Sequence, residues 1–257
     1  MERTALRALL RTTRNFPTYQ IRIKVFLRDD IFDNIIGPGG FTALSHIEAR
    51  CAATLRWGRQ EIQLLIVKRF SFNARIRSSF QIDKARIEQN DMEHATEIFG
   101  RLFPAQVASG KNQSPTLDWI FHHCEDGRGV VTPRDVLDLL EAALKAQVNH
   151  LQRGQSLTEF LVGPQALKEG WVELSVRKCR NYLHAEFPDF WHDIKKFENA
   201  KAEHNAKSLA TLLGPDWQSK ADDLVSLGFL QHRPGPRTYT IPLLFRPGMG
   251  VKQGKAF

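Results

Sequence analysis

At 257 residues the chain is long enough for two domains or one large one, and 42% hydrophobic with 25% charged residues is the balance of a soluble globular protein. A net charge of +8 favours an anionic partner, whether nucleic acid, nucleotide phosphate or an acidic protein face; the excess is spread along the chain, which a solvated basic surface explains at least as well. Three widely spaced cysteines, Cys51, Cys124 and Cys179, argue against a disulfide framework and fit a reducing cytoplasm, no apolar run approaches membrane-span length, and no secretory signal opens the chain.

Residues 3–14 read as a short basic helix, with Leu6, Leu9 and Leu10 on one face and arginines on the other, broken by Asn15-Phe-Pro17. Ile21-Arg-Ile-Lys-Val-Phe-Leu27 then predicts a mostly buried strand, ending in the charged triplet Arg28-Asp29-Asp30. The carboxyl end of a strand is where open α/β sheets place their chemistry; a solvated turn is the plain alternative. Almost nothing precedes this strand, so the chain reads as starting inside a domain. Gly37-Pro-Gly-Gly40 is a flexible loop, not a phosphate-cradling one, because no lysine followed by Ser or Thr comes after it. Glu48–Leu55 suggests a short second strand ended by Arg56-Trp57-Gly58, and Ile62, Leu65, Ile66 and Phe70 give a helix over 59–70.

Residues 74–113 are polar and weakly periodic, except for a helix over His94–Phe103 stopped by Pro104. Leu117, Ile120 and Phe121 form an apolar helical face. Thr132-Pro-Arg-Asp135 is the clearest helix start: Thr132 caps, Pro133 takes the first helical position, and Asp135 stands where a capping-box acid belongs. That helix runs to about Leu151. Arg134 places a cation in its first turn, against the helix dipole; a phosphate could hold it there, or it could simply be solvated. Arg153–Ser156 reads as a connector. Helices follow over 175–187 and 190–201, then over 207–213 and 219–227. Gly228–His232 meets Arg237–Ile241 across Arg233-Pro-Gly-Pro236. Helix, turn, helix and two-stranded hairpin is the layout of a winged helix.

His122-His123-Cys124 with Glu125 and Asp126 invites a metal reading, but no second ligand pair stands at finger-like spacing, and no metal site is expected. No Ser/His/Asp order or His-Glu-x-x-His can be placed. Tyr182, His184 and Glu186 read as structural, and Trp57, Trp119, Trp171, Trp191 and Trp217 as packing residues.

Phe26-Leu-Arg-Asp-Asp30, Leu55-Arg-Trp57 before a helix carrying Arg69, Pro133-Arg-Asp135, Glu186-Phe-Pro188, and Gly228-Phe-Leu230 followed by Ile241–Arg246 occur in one order. In that order they resemble the carboxyl-terminal part of bacterial P-loop ATPases of the STAND and AAA+ type, over roughly residues 20–250. The resemblance implies an α/β remnant plus a mainly α part. Residues 1–112 would be the end of the nucleotide-binding sheet, 113–153 a helical lid, and 154–257 a helical linker and winged helix. Arg28 would be a sensor-1 arginine facing the terminal phosphate, with Asp30 beside it. Arg134 would be the sensor-2 arginine, and Pro133 would lie near the base. Asp29 departs from the family, where a small hydroxyl residue is usual. The phosphate loop and the acidic Walker B strand are absent, and these hold phosphates, magnesium and the attacking water.

The resemblance therefore implies a truncated, split or degenerate ATPase piece in the cytoplasm. ATP and Mg2+ would be bound only if an upstream segment or partner chain supplies the phosphate loop. No catalytic residue and no hydrolysis are expected from this chain alone. A protein partner for the winged helix and weak, non-specific nucleic-acid binding complete the expectation. The alternative is a winged-helix DNA-binding regulator, supported by net charge and by Arg233 and Arg237 at the hairpin tip. Against it, Asp222 and Asp223 make helix 219–227 a poor groove reader.

Overall fold

The computed structural model describes residues 2–12, 20, 23–27, 32, 57–155, 159–233 and 238–257. It falls into two compact units, Met1–Arg56 and Trp57–Phe257. In the first, α1 spans Glu2–Thr12, with Leu10 buried and Leu9 exposed. The buried strand predicted over 21–27 is not formed in its described part. Residues 23–27 adopt no regular structure, and Ile23, Val25 and Phe26 are 42%, 38% and 77% exposed. Their composition favours extended backbone, but a strand persists only where a neighbour takes its N–H and C=O groups, and no described strand flanks it. Arg28, Asp30 and the second predicted strand at 48–55 lie outside the described residues.

The second unit opens with α2 (Arg59–Ser71), whose Ile62, Ile66 and Phe70 face the core. The stretch that reads as weakly periodic holds α3 (Ala74–Phe80), α4 (Lys84–Glu88) and α5 (Met92–Leu102). Helices of 7 and 5 residues are too short to show a periodic face, and caps define them instead. The side chains of Asn73, Asp83 and Asp91 each accept from first-turn backbone N–H groups. Next come α6 (Thr116–Cys124), α7 (Pro133–Gln152) and α8 (Pro164–Lys178). The Asp135–Lys178 ion pair at one end and the His150–Glu169 hydrogen bond at the other mark α7 and α8 as an antiparallel pair. Gly170 lets them close: a Cβ there would sit 2.7 Å from Leu139 O and Ala143 N.

Beyond α8 the helix widens into a π turn over Cys179–Leu183 and continues as α9 (His184–Glu186) and α10 (Pro188–Lys195). Periodicity predicts a helix to residue 201, but the chain turns at Asn199, whose φ of +60° an asparagine tolerates, and β1 begins at Lys201 (Lys201–His204). There Ala202 and His204 point inward, which is a period of two. α11 (Ala206–Leu213) follows, started by a capping box between Asn205 and Ser208, and then α12 (Trp217–Ser226). β2 (Gln231–Arg233) and β3 (Thr238–Thr240) are antiparallel, β3 is antiparallel to β1, and β4 (Lys252–Lys255) is parallel to β1. The sheet order is β2-β3-β1-β4.

The described architecture is thus mixed, mainly helical with a small four-stranded sheet. One hydrophobic cluster runs from Ile62 to Met249 and joins the helices to the sheet. Among the described residues no helix is long and apolar enough to cross a membrane.

Candidate functional site

The start of α7 is built by its own sequence. Thr132 Oγ1 accepts from Asp135 N–H at 3.1 Å and donates to Asp135 Oδ2 at 2.7 Å, with Pro133 at the first helical position. The carboxylate of Asp135 is buried and meets Lys178 Nζ at 2.8 Å. Lys178 in turn lies 4.4 Å from the ring centre of Tyr182 in the π turn. One turn along, Asp138 and Arg177 approach to 3.7 Å. Removal of Asp138 from water pushes its carboxyl pKa up, and Arg177 pulls it partly back. Asp135 is thereby committed inward, and Arg134 beside it is exposed. Of the residues implied to bind nucleotide, Pro133 and Arg134 are brought together at this helix start.

A cavity of about 250 Å³ opens next to it, lined by Trp57, Arg59, Phe121, His122, Glu125 and Val131. Arg59 is held in place by Asp118 at 2.6 Å and lies 5.1 Å from the Phe121 ring centre. Arg134 does not line this cavity.

The histidine–cysteine run does not converge on one point. His122 is exposed. His123 stacks on Trp119 at 3.8 Å and meets Trp171 edge-on at 4.6 Å, so two of the tryptophans share a cluster. Burial lowers the His123 pKa to about 4, opposed by its bond to Trp119 O. Cys124 is fully buried, and its thiol pKa is driven well up by that burial.

Residues 125–130 tie the α7 entrance to the hairpin. Asp126 accepts from the N–H groups of Arg128 and Val130 and from the Arg128 guanidinium. Gly127 N–H donates to Gly228 O at 2.7 Å, and a Cβ on Gly127 would stand 2.3 Å from Leu230 O. Gly228 itself has φ +81°, a conformation that favours glycine. From the other side, Trp171 Nε1 donates to Leu243 O, and Gly248 N–H donates to Ser175 Oγ.

The outward face of α12 is polar and acidic: Gln218, Ser219, Asp222, Asp223 and Ser226 are exposed. Lys220 is turned back to Leu213 O and toward Asp193. Arg233 is exposed, and Arg237 lies outside the described residues.

Sequence reasoning missed the Asp135–Lys178 pair, the Asp126 loop and strand β4. An acid–base pair separated by 43 residues leaves no local pattern. The close Gly127/Gly228 contact has a faint signal in Gly127-Arg-Gly129 and Gly228 alone. No family model, no curated protein and no solved structure matches the chain.

Proposed function

We propose that this chain is the carboxyl-terminal part of a bacterial P-loop ATPase of the STAND and AAA+ type, made of a nucleotide-sensing helical lid and a winged-helix interaction module. The observation that carries the reading is the start of α7. Asp135 is neutralised by Lys178 within the fold, and the neighbouring Arg134 is left exposed in a first turn where the helix dipole disfavours a cation. Asp138, one turn along, gives Arg134 a weak counter-charge, and a bound triphosphate would supply a much stronger one. The succession α10, β1, α11, α12, β2, β3, with order β2-β3-β1, supports reading residues 188–240 as a winged helix. ATP and Mg2+ would be bound only when an upstream segment or partner chain adds the phosphate loop and Walker B acid. No step of hydrolysis is assigned to this chain.

The alternative, a winged-helix DNA-binding regulator, draws on the same topology and on exposed Arg233. The acidic outer face of α12 favours a protein partner over a DNA groove.

The purified chain should release no phosphate from ATP above background. Joined to a phosphate-loop segment encoded just upstream, it should hydrolyse ATP, and Arg134→Ala should lower kcat by at least about tenfold, within the range seen for lost charge-stabilising groups. The same substitution should change the isolated chain's stability by no more than about 0.5 kcal/mol, because the side chain is exposed. Hydrolysis by the chain alone, or a large loss of stability in Arg134→Ala, would remove the lid reading.

A further inference from the structure

We propose that the lysine-lined groove between the start of α11 and strand β4 binds the backbone of a single-stranded nucleic acid. The groove holds about 520 Å³ and is lined by Lys201, Lys207, Ser208, Thr211 and Phe257. Lys201 and Lys252 are register partners in the parallel β1–β4 ladder, and Lys255 stands opposite Glu203. Lys252 and Lys255 are three residues apart, about 10 Å along a strand. Gly254, at φ +120°, has no side chain, and Lys201 lies across it: a Cβ there would be 4.0 Å from Lys201 Nζ. Lys201 and Lys207 line the groove itself, and Lys252 and Lys255 stand on the edge strand beside it, across a register shift in the β1–β4 ladder.

Lys201, Lys207, Lys252 and Lys255 are all exposed, and none has a carboxylate within salt-bridge distance among the described residues. Glu203 offsets one of the four charges. Lysines on an edge strand also discourage unwanted strand pairing, and that accounts for Lys252 and Lys255. It does not account for Lys201, which is on an inner strand, or for Lys207, which is on a helix.

The groove ends at Phe257, 53% exposed, with Lys255 Nζ 5.6 Å from its ring centre. A half-exposed aromatic ring with ammonium groups nearby is an arrangement that can stack an unpaired base and neutralise its phosphates. A duplex offers phosphates but no free base face, and a chain of acidic residues alone, such as polyglutamate, offers charge but no ring to stack. The inference does not rest on the lid reading, because Arg134 is on α7 and has no part in the groove.

The test is fluorescence anisotropy of a labelled oligothymidylate about ten nucleotides long, a length suited to a short groove. A duplex of equal length and polyglutamate serve as competitors. The single strand should bind more tightly than the duplex. With three lysines on phosphates, its affinity should fall roughly 20-fold between about 50 and 200 mM salt. The triple variant Lys201→Gln, Lys252→Gln, Lys255→Gln should keep its thermal midpoint, weaken binding by at least roughly tenfold and flatten the salt dependence. Phe257→Ala should weaken the single strand at least roughly fivefold and leave the duplex unchanged. Arg134→Ala should bind as the parent does, so this outcome and that of the lid reading are separable. No binding at low salt, a preference for duplex, or full affinity in the triple variant would each overturn the proposal. Polyglutamate competing as well as the oligonucleotide, with Phe257→Ala silent, would also overturn it and assign the groove to an acidic protein.

Discussion

His123 is a histidine in the middle of a candidate metal run whose environment has made it a packing residue. Its ring lies between Trp119 and Trp171, and burial holds its pKa at about 4. In the unfolded chain a histidine titrates near 6.5. The folded state therefore binds the proton more weakly, and the contribution of neutral His123 is complete above about pH 6.5. It is lost progressively as pH falls toward about 4, where the folded form also takes up the proton. The size of the shift corresponds to about 3 kcal/mol across that window. Thermal or denaturant unfolding at several pH values should show a loss of stability between about pH 6.5 and 4 that is smaller in His123→Phe, which keeps the stacked ring without the titrating nitrogens. Equal slopes in the two proteins would mean that the ring is already hydrated and charged in the fold.

At the scale of elements, the decisive contact is between α7 and α8. Asp135 and Lys178 are largely withdrawn from water, and Asp135 also receives the Thr132 hydroxyl. Removing one partner of such a pair leaves an uncompensated charge and costs about 3–5 kcal/mol, whereas removing both restores much of it. Asp135→Asn and Lys178→Met should each lower stability by about 3 kcal/mol, and the double variant should be more stable than the sum of the two predicts. Additive losses would show that the two charges do not depend on one another.

This contact also marks how far the sequence could be read. The start of α7 was legible because Thr132, Pro133 and Asp135 act locally. The apolar faces of α2, α5 and α6 were legible because each is longer than two helical turns. The short helices α3 and α4 were not, since their definition lies in caps instead of periodicity. Residues 23–27 read as a strand on composition alone, and composition cannot say whether a neighbour is there to pair with. The parallel addition of β4 to β1 is a contact across about fifty residues, and Lys-Gln-Gly-Lys carries no strand signal. Arg134 stands out in the sequence by its position against a helix dipole; the inward commitment of Asp135 beside it is visible only in three dimensions.

For the whole molecule, the question is how a net charge of +8 is deployed. If residues 188–240 read a duplex as a winged helix does, α12 would enter the major groove and the hairpin tip would touch the backbone. That surface carries exposed Asp222 and Asp223, while Lys220 is engaged with Leu213 O and Asp193 and adds little outward charge. Among the described residues of that hairpin, exposed Arg233 is the arginine that offsets the two acids. Like charges facing phosphates across a short distance repel, so no base-specific docking should survive. Duplex binding should be weak, indifferent to sequence and steeply reduced by salt, as expected when phosphate contacts alone supply the affinity. Selection from a random duplex library at physiological salt, followed by titrations across salt, should recover no enriched motif. Recovery of one motif bound at a sub-micromolar Kd, with binding lost on Arg237→Ala, would instead establish that the hairpin and α12 read DNA, and would replace the proposed ATPase piece with the regulator.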